Sequence, residues 1–355
     1  MLLGREKQLA PRTDADRVHR GWGDVVQLGR LPRLKIAALP TPLEEAPSLS
    51  AYLGGPRVLI KRDDITGLAF GGNEVRKLEY LMGEAVDRGS DVVLTSGAIQ
   101  SNLARVTAAA AGRLGLEAII VLNGEEPATR QGNFLLDGIF GAQIRIVNTD
   151  DDYVLAGVVD DVARELRRQG RNPYVIPRGA ATAMGAAGFA NAGLELLDQL
   201  NSRGIRADAV VHSSTSGGTQ AGLYTSLKIA QTGIQVVGVS AGPSREVLTG
   251  RVKSLVDELT KLLGLDWRPH PDDIVVTDEY VGDRYGVPTP AALDAIRLAA
   301  RTEGILLDPV YSGKAMAGLI DMVRRGQFGP DQTVVFWHTG GQPAVFAYAG
   351  WLTDG

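Results

Sequence analysis

The sequence predicts a two-lobed α/β fold in which sheets rich in parallel strands are flanked by helices. From residue 58 onward, short runs rich in β-branched residues alternate with longer helix-like segments. This alternation is typical of parallel sheets with right-handed crossovers. The runs are continuously apolar, which suits strands buried on both faces. A chain of 355 residues usually divides its core, so we expect two lobes.

Nine short apolar runs are predicted to be strands: residues 58–60, 92–96, 118–122, 144–147, 174–176, 209–213, 236–240, 273–276 and 333–337. Nine segments are predicted to be helices: residues 73–88, 101–114, 129–139, 152–169, 187–203, 218–231, 244–264, 289–302 and 314–325. The helix after Thr289 has the clearest start, because threonine is a good N-cap and Pro290 suits the first helical position. Leu293, Ile296 and Ala300 recur at the spacing of one helix face, which predicts that this face is buried.

The composition excludes several kinds of chemistry. Hydrophobic residues make up 44% of the chain and charged residues 22%, which is typical of a globular protein and not of a disordered one. The absence of cysteine excludes disulfides, thiolate nucleophiles, zinc sites with cysteine ligands and iron–sulfur clusters. The four histidines are scattered, which argues against a histidine metal cluster. The net charge of −4 comes without a basic stripe, so we do not expect nucleic acid as a partner.

Residues 1–33 are polar and poorly periodic, and we interpret them as an N-terminal extension. They lack the uninterrupted apolar stretch of a signal peptide. No run in the sequence approaches the ~18 apolar residues of a membrane span. We therefore expect a cytoplasmic protein without a membrane partner. No linker-like tract separates the lobes, so we expect them to be closely connected.

Glycine is over-represented, since 44 of 355 residues, about 12%, are glycine, against ~7% in an average protein. Three glycine-rich loops follow a strand and precede a helix, which is where open α/β sheets bind ligands. At residues 71–73 the loop is either a tight turn with an asparagine cap or a ligand loop. After Gly97, Ser101 and Asn102 either cap the next helix or present a hydroxyl, an amide and backbone N–H groups to an anion such as a carboxylate.

The third loop, residues 213–222, has five hydroxyl side chains in its first seven residues. A bare turn does not need them, whereas a helix N-terminus with free N–H groups and hydroxyls is a phosphate cradle. The loop lacks the GxxxxGK[ST] spacing of a nucleotide-binding loop, so a single phosphate monoester is predicted. It also lacks GxGxxG, which disfavours a nicotinamide enzyme on a similar sheet.

Two later loops carry further candidates. Tyr311 is either a half-buried ring with a solvated hydroxyl or a functional group. Thr339 is either a plain helix cap or a hydrogen-bond partner for a ligand in the sheet crevice. For His338 we favour a core histidine with satisfied hydrogen bonds over a general base.

Five segments together resemble one known family: residues 61–80, 97–102, 216–219, 308–314 and 338–341. Their motifs read KRDD, TGLAFGGN and RKLEY in the first segment, then GAIQSN, SGGT, DPVYSGK and HTGG. The family comprises the pyridoxal-phosphate (PLP) enzymes D-cysteine desulfhydrase and 1-aminocyclopropane-1-carboxylate deaminase. Its fold is the tryptophan-synthase-β type, also called PLP fold type II. The likeness runs from about residue 34 to the C-terminus.

The resemblance implies a role around pyridoxal 5'-phosphate for each motif. The implied cofactor contacts are Asn73 and Asn102 at the ring oxygen, Ser216, Gly217, Gly218 and Thr219 at the phosphate, and Thr339 at the pyridine nitrogen. The residues implied to receive the substrate carboxylate are Gln100, Ser101 and Asn102. Ser101 is also a candidate for proton transfer, and Tyr285 and Tyr311 would flank the substrate as acid–base groups.

The resemblance also implies a domain arrangement and a reaction. A large PLP-binding domain would comprise residues 34–79 and 185–355, a small domain residues 80–184, and two chains would form a homodimer. The substrate would be a small amino acid, which loses its α-proton and undergoes β-elimination to an oxo acid and ammonia. The cyclopropane deaminases carry Glu where this chain has Ser312. With Thr339, this favours the desulfhydrase branch, and the cyclopropane deaminase reaction is the alternative.

One departure from the family pattern concerns the covalent link to the cofactor. The family motif reads Gly-Gly-Asn-Lys, and that lysine forms the Schiff base, but here the position is Glu74. A carboxylate cannot form an imine, and its charge repels an anionic cofactor. A second departure is Leu103, where the desulfhydrase branch usually has His.

Three explanations of Glu74 stay open. The substitution is engineered or incidental in an otherwise competent enzyme, or the protein binds PLP or its amino-acid adduct non-covalently, with altered or lost catalysis. In the third explanation Lys77, three positions along the same helix, substitutes for the missing lysine. Stability alone could tolerate the change, because a carboxylate is favoured near a helix N-terminus.

Overall fold

The computed structural model describes residues 26–149 and 151–353, and the strands of these ranges form two separate sheets. In chain order the strands are β1 (Leu43–Glu45), β2 (Arg57–Arg62), β3 (Val92–Ala98), β4 (Glu117–Asn123), β5 (Gln143–Val147), β6 (Pro173–Ile176), β7 (Ala209–Ser214), β8 (Gln235–Ser240), β9 (Val275–Thr277) and β10 (Thr333–His338). Both sheets are dominated by parallel pairs, as the sequence predicts.

At least one helix lies between each pair of consecutive strands. The helices are α1 (Pro47–Leu53), α2 (Glu74–Asp87), α3 (Asn102–Leu114), α4 (Gly132–Ile139), α5 (Asp152–Arg168), α6 (Ala183–Ser202), α7 (Gly218–Ile229), α8 (Arg245–Leu262), α9 (Pro290–Glu303), α10 (Ser312–Arg324) and α11 (Ala349–Thr353). Short 3-10 helices span Val26–Arg30, Asp63–Ile65, Leu68–Phe70, Arg178–Ala180, Pro271–Asp273 and Gln342–Tyr348.

The large sheet has the strand order β1-β2-β10-β7-β8-β9. Only β1, at the edge, pairs antiparallel to its neighbour, and the other pairs are parallel. The last strand in the chain, β10, lies in the middle of the sheet between β2 and β7. Every residue of β7 and of β10 is buried, as expected for strands covered by helices on both faces.

The small sheet has the order β5-β4-β3-β6, and all of its pairs are parallel. Side chains on opposite faces of each sheet enter different cores. In β2, Leu59 packs with α6, α7 and α8, whereas Val58 and Ile60 pack with α1, α9 and α10. In β3, Val93 packs with α2 and α3, and Leu94 packs with α5.

The predicted elements agree closely with the structure. Each predicted strand overlaps an observed one, with the poorest match at β9, and each predicted helix is present. Three short elements were not predicted, namely β1, α1 and α11, which are only 3, 7 and 5 residues long. Thr289 caps α9 as expected, since its hydroxyl accepts a hydrogen bond from the Ala292 N–H at 3.1 Å.

The predicted buried face of α9 was wrong at one position. Ile296 is buried and Leu293 is partly buried, but Ala300 is exposed. The buried face instead contains Ala292, Ala295, Ile296 and Ala299, which follow the i, i+3, i+4, i+7 spacing of one helix side. Ala300 lies one position, about 100° of helix rotation, beyond that side.

The proposed N-terminal extension, residues 1–33, lies largely outside the described residues. Its described end packs on the fold, because Leu28 is buried in the core beside α8 and Arg33 forms a salt bridge with buried Glu79. The division into domains at residues 79, 80 and 184 stays a prediction. None of the helices in the described part of the chain has the length and apolarity needed to cross a membrane.

Candidate active site

A cavity of about 700 Å³ lies where the carboxyl ends of β3 and β7 face each other. Most of the residues singled out in the sequence line it: Asn73, Glu74, Lys77, Ser101, Asn102, Ser216, Gly217, Thr219, Tyr285 and Tyr311. Strands of both sheets therefore bring together loops that lie far apart in the sequence. The volume is that of a typical small-molecule site.

Three predicted site residues do not line the cavity. The Gln100 side chain is engaged elsewhere, donating to the Gln131 carbonyl at 3.1 Å and accepting from the Asn133 N–H at 2.8 Å. Thr339 is buried, and its carbonyl accepts from the Asn73 N–H at 2.9 Å. Gly218 is buried at the start of α7, between Gly217 and Thr219, which do line the cavity.

The loop between β7 and α7 has the features of a phosphate cradle. The hydroxyls of Ser213, Ser214 and Thr215 are buried and have no hydrogen-bond partner among the described residues. Gly217 has a φ of 88° and leads directly into α7, whose first N–H groups have no intrahelical partner. Unsatisfied buried hydroxyls at a helix N-terminus fit a phosphate group.

Lys77 contributes a cation to the same end of the cavity. Its Nζ donates to the Gly179 carbonyl at 3.0 Å, and a Cβ placed on Gly218 would lie 3.6 Å from it. Burial lowers the pKa of Lys77 to about 8, although the Glu74 carboxylate opposes this shift. The amine is thus placed beside the phosphate cradle and is partly neutral in weakly alkaline solution.

Glu74 is the first residue of α2 and faces a different wall of the cavity. Its Oε2 is buried and has no hydrogen-bond partner in the part of the chain that the structure describes. Burial raises the pKa of this carboxyl, and Lys77 and Arg105 oppose the rise. A Cβ on Gly72, which has a φ of 125°, would lie 3.2 Å from Oε2 and would crowd the carboxylate.

Ser101 and Asn102 stand at the N-terminus of α3, a position that suits both predicted roles, capping the helix and binding an anion. The Ser101 hydroxyl caps the helix by accepting from the Ala104 N–H at 3.2 Å, which leaves its proton free to donate. Asn102 Oδ1 accepts from Arg105 and from Asn133, at 3.1 and 2.8 Å. The Asn102 amide nitrogen is therefore the group that can donate into the cavity.

Sequence reasoning missed Arg105 and Asn133, which hold this loop in place. Arg105 is fully buried and donates to the Gly71 carbonyl at 2.5 Å and to Asn133 Oδ1 at 2.7 Å. It thereby connects the loop before α2 with the first turn of α4. An arginine inside a helix and an asparagine at a helix start carry no local signal for this contact.

Tyr285 and Tyr311 meet over the cavity. Their hydroxyls are hydrogen-bonded to each other, and their rings pack edge to face with centroids 5.9 Å apart. Burial raises the pKa of Tyr311 well above its ordinary value, so this hydroxyl keeps its proton at neutral pH.

Asp308 fixes the loop that carries Tyr311. Its carboxylate accepts from the N–H groups of Val310, Tyr311 and Ser312 at 2.7–2.9 Å, and from the Ser312 hydroxyl at 2.6 Å. Ser312 is buried, and its hydroxyl is used within this loop. His338, close by, has both ring nitrogens hydrogen-bonded, to Leu306 and Gly340, as predicted for a core histidine.

A buried ion network anchors the base of α2. Arg76 donates to Asp63 at 2.8 Å and to Glu195 at 2.9 Å, and Trp337 donates its indole N–H to Asp63 at 2.8 Å. The network ties α2 to β10 and to α6. Glu74 and Lys77, which flank Arg76 in the sequence, are thereby held on a rigid helix.

Charged residues at the cavity rim also escaped the sequence analysis. Arg178, Arg251 and Glu258 line the opening. The Arg178 guanidinium lies over the Tyr285 ring, 5.7 Å from its centroid, and Arg251 donates to the Thr215 carbonyl at 3.2 Å. Arg178 also forms a salt bridge with Asp152, whereas Arg251 adds positive charge near the phosphate cradle.

Comparisons with known proteins agree with this geometry. The family model of pyridoxal-phosphate dependent enzymes matches residues 34–340. A D-cysteine desulfhydrase from Salmonella choleraesuis (strain SC-B67) is 42% identical over 328 residues, which cover 90% of this chain and 97% of that protein. A Pyrococcus horikoshii protein provisionally named 1-aminocyclopropane-1-carboxylate deaminase is 41% identical over 321 residues, 90% of this chain and 95% of its own.

The chain is also similar to solved structures. The crystal structure of an ACC deaminase homologue superposes with a TM-score of 0.87 at 41% identity, covering 93% of this chain and 98% of that one. The crystal structure of a T.th. threonine deaminase superposes with a TM-score of 0.64 at 22% identity, covering 90% and 97%. The second likeness concerns the fold, which is PLP fold type II.

Proposed function

This chain belongs to the family of pyridoxal-phosphate-dependent enzymes, and on that premise we propose that it acts as a lyase or deaminase on a small amino acid. The proposed reaction is a D-cysteine desulfhydrase-like β-elimination that yields an oxo acid and ammonia. One observation carries the proposal: a single cavity joins a phosphate cradle, a carboxylate-binding loop and a pair of tyrosine hydroxyls. When bound, PLP supplies an electron sink for bonds at the amino-acid α-carbon.

Different residues around the cavity bind different parts of the cofactor. Ser216, Gly217, Gly218 and Thr219 hold the phosphate together with the unpartnered hydroxyls of the same loop. Asn73 reaches the ring oxygen of the cofactor in this proposal, which its contact with the phosphate loop supports, since its amide donates to Thr219 Oγ1 at 2.9 Å. Lys77 pairs with the phosphate, because its Nζ lies at the start of α7.

The substrate end lies against α3 and the tyrosines. Ser101 and Asn102 receive the amino-acid carboxylate with a hydroxyl, an amide and the N-terminal N–H groups of α3. Ser101 is also positioned to move a proton at the substrate. The protonated Tyr311, in contact with Tyr285, supplies a proton to the group leaving the β-carbon.

Two alternatives rest on specific observations. Glu74 cannot form a covalent link with an aldehyde, which favours non-covalent binding of PLP or of its amino-acid adduct, with altered or lost catalysis. The names of the similar Pyrococcus protein and of the similar crystal structure favour 1-aminocyclopropane-1-carboxylate deaminase activity.

The test combines binding, covalent trapping and turnover. The purified chain is mixed with PLP, reduced with borohydride and mapped by mass spectrometry, and sulfide release from D-cysteine is measured for wild type and for Glu74→Lys. We expect no adduct on α2 in the wild type, and an adduct on residue 74 with faster sulfide release in Glu74→Lys. An adduct on Lys77 in the wild type would instead support its role as the substitute lysine.

Two outcomes would contradict the proposal. If neither form binds PLP nor inorganic phosphate, the assignment of the cavity to the cofactor is wrong. If Glu74→Lys forms the adduct but releases ammonia only from 1-aminocyclopropane-1-carboxylate, the proposed desulfhydrase reaction is wrong. The deaminase reaction is then supported in its place.

The proposal also covers the oligomeric state of the protein and its location in the cell. We propose a homodimer in the cytoplasm, with a small amino acid as the only substrate partner. Large apolar side chains on the surface, such as Phe70, Phe346 and Trp351, support a contact with a second chain. Light scattering of the purified protein after gel filtration measures the mass, and a monomer of 37.7 kDa would contradict the proposal.

A further inference from the structure

The two ends of the cavity carry opposite charge. At the phosphate cradle, Lys77 and the N-terminus of α7 provide positive charge and hydrogen-bond donors. At the other end, Glu74 presents a carboxylate with a buried, unpartnered Oε2 among the described residues. A ligand that complements both ends is anionic at one end and cationic at the other.

The other charged groups near Glu74 are already engaged. Both oxygens of Asp308 accept hydrogen bonds from its own loop, so of these two neighbouring carboxylates Glu74 is the one that is available to a ligand. The terminal nitrogens of Arg105 donate to Gly71, Asn102 and Asn133. Lys77 donates to the Gly179 carbonyl and attracts the Glu74 carboxylate without a hydrogen bond to Oε2.

A buried carboxylate oxygen without a hydrogen-bond partner, such as Glu74 Oε2, is unfavourable, and a cation that binds to it removes the unfavourable term. Burial raises the pKa of Glu74, and Asp308 raises it further, against Lys77 and Arg105. A cationic ligand nitrogen would restore the ionised form. The aldehyde form of the cofactor has a neutral carbonyl at this end and offers no such partner.

We propose that Glu74 makes this cavity select cofactor forms that carry a protonated nitrogen next to the ring, namely pyridoxamine 5'-phosphate and phosphopyridoxyl amino acids, over the aldehyde form. The proposal rests on the proposed function only for the phosphate end of the cavity. It means that the nitrogen at this position comes from the ligand and not from the protein. Ser101 and Asn102 add contacts to the carboxylate of a phosphopyridoxyl amino acid, so that class binds most tightly.

The experiment measures dissociation constants of the full chain by calorimetry for inorganic phosphate, PLP, pyridoxamine 5'-phosphate and reduced phosphopyridoxyl-D-alanine. We expect pyridoxamine 5'-phosphate to bind about tenfold or more tightly than PLP, as a charge-assisted hydrogen bond would give. Phosphopyridoxyl-D-alanine should bind more tightly still. In Glu74→Gln, which keeps the shape and removes the charge, the preference for the amine over the aldehyde should fall to about one.

Matched variants show whether the preference for the amine comes from direct contact with Glu74 or from the total charge around the cavity. Glu258→Gln removes one negative charge at the cavity rim and should leave the amine-to-aldehyde ratio unchanged, and Glu74→Asp should keep part of the preference. Melting curves of each variant show whether it is folded. A wild type that binds PLP as tightly as the amine, or a ratio that does not respond to Glu74→Gln, overturns this inference and leaves the proposed function standing. Failure of every phosphate ligand overturns both.

Discussion

At the scale of single residues, Glu74 and Lys77 have different neighbours in the cavity. They are three positions apart on α2, yet Lys77 reaches the start of α7 while Glu74 lies beside Gly72 and Arg105. The direction of the Lys77 side chain supports a role at the phosphate and weakens the explanation in which it replaces the missing lysine. The phosphate role can be tested through its dependence on pH.

Phosphate-ester binding should weaken as the pH rises through about 8. Burial lowers the pKa of Lys77 to about 8, so the ammonium is present below that pH and is lost above it. The phosphate itself gains its second charge near pH 6, and affinity should therefore be highest between about 6 and 8. Calorimetric titration of pyridoxamine 5'-phosphate at several pH values measures this, and Lys77→Met should remove the alkaline decline. An unchanged decline in that variant would assign it to another group.

Gly97→Ala should damage the substrate loop. A Cβ at Gly97 would lie 2.4 Å from the Ser101 hydroxyl oxygen, so Ser101 must move. We expect the affinity for phosphopyridoxyl-D-alanine to fall about tenfold or more, since displacements near 1 Å have effects of this size, while affinity for inorganic phosphate stays the same. Gly157→Ala on α5, with no atom within 4 Å, is the control and should change neither. Equal losses for both ligands would argue against a local effect on Ser101.

At the scale of elements, the short loop of residues 308–312 is organised by one carboxylate. Asp308 is fully buried and accepts three backbone N–H groups and one hydroxyl. Charge-assisted bonds of this kind are worth more than neutral ones. The position of Tyr311 therefore depends on a residue that does not line the cavity.

Asp308→Asn should destabilise the fold and displace Tyr311. The amide has one acceptor oxygen instead of two, so at least one buried N–H loses its partner, at about 1–3 kcal/mol. Urea unfolding measures the loss, and sulfide release in the Glu74→Lys background measures the effect on Tyr311. Asp294→Asn, at an exposed surface position, is the control. A stability equal to that of the parent would show that the loop is held by other contacts.

The elements could be read from the sequence because their signals are local. Buried β-branched runs such as β7, and capped helices such as α9, depend on periodicity and on single caps. The short edge strand β1 and α1 have too few residues for a periodic signal. The Arg105–Asn133 contact joins residues 28 positions apart, and only the packing of α3 against α4 creates it.

At the scale of the whole molecule, the buried ions around Arg76 connect distant parts of the chain. Asp63 follows β2, Arg76 lies on α2, and Glu195 lies on α6. Lys61 adds a second cation, 2.5 Å from the Glu195 carboxylate. These contacts hold the large sheet to the helix that carries Glu74.

Acid should unfold the protein through this network. Burial opposes ionisation of Glu195, but Arg76 and Lys61 prevail and lower its pKa from 4.5 to about 2. The carboxyl therefore stabilises the fold above about pH 4.5 and loses this effect as the pH falls towards 2, by about 3 kcal/mol for a shift of this size. Unfolding free energies measured by urea between pH 7 and 3 test this. Glu195→Gln should be less stable at pH 7 and show a shallower decline, and a parallel decline would contradict the assignment.

The central place of β10 has a consequence for how the protein is made. This strand is the last of the large sheet to leave the ribosome, yet it must enter between β2 and β7. The backbone after it then meets the first glycine loop so closely that a Cβ on Gly340 would lie 2.7 Å from the Gly72 Cα. During synthesis, β2 and β7 are consequently without a shared neighbour until residue 338 has emerged, and their edges must be shielded for most of that time. The loop after β10 therefore reaches the first glycine loop only after every segment that lines the cavity, up to Tyr311, has been made.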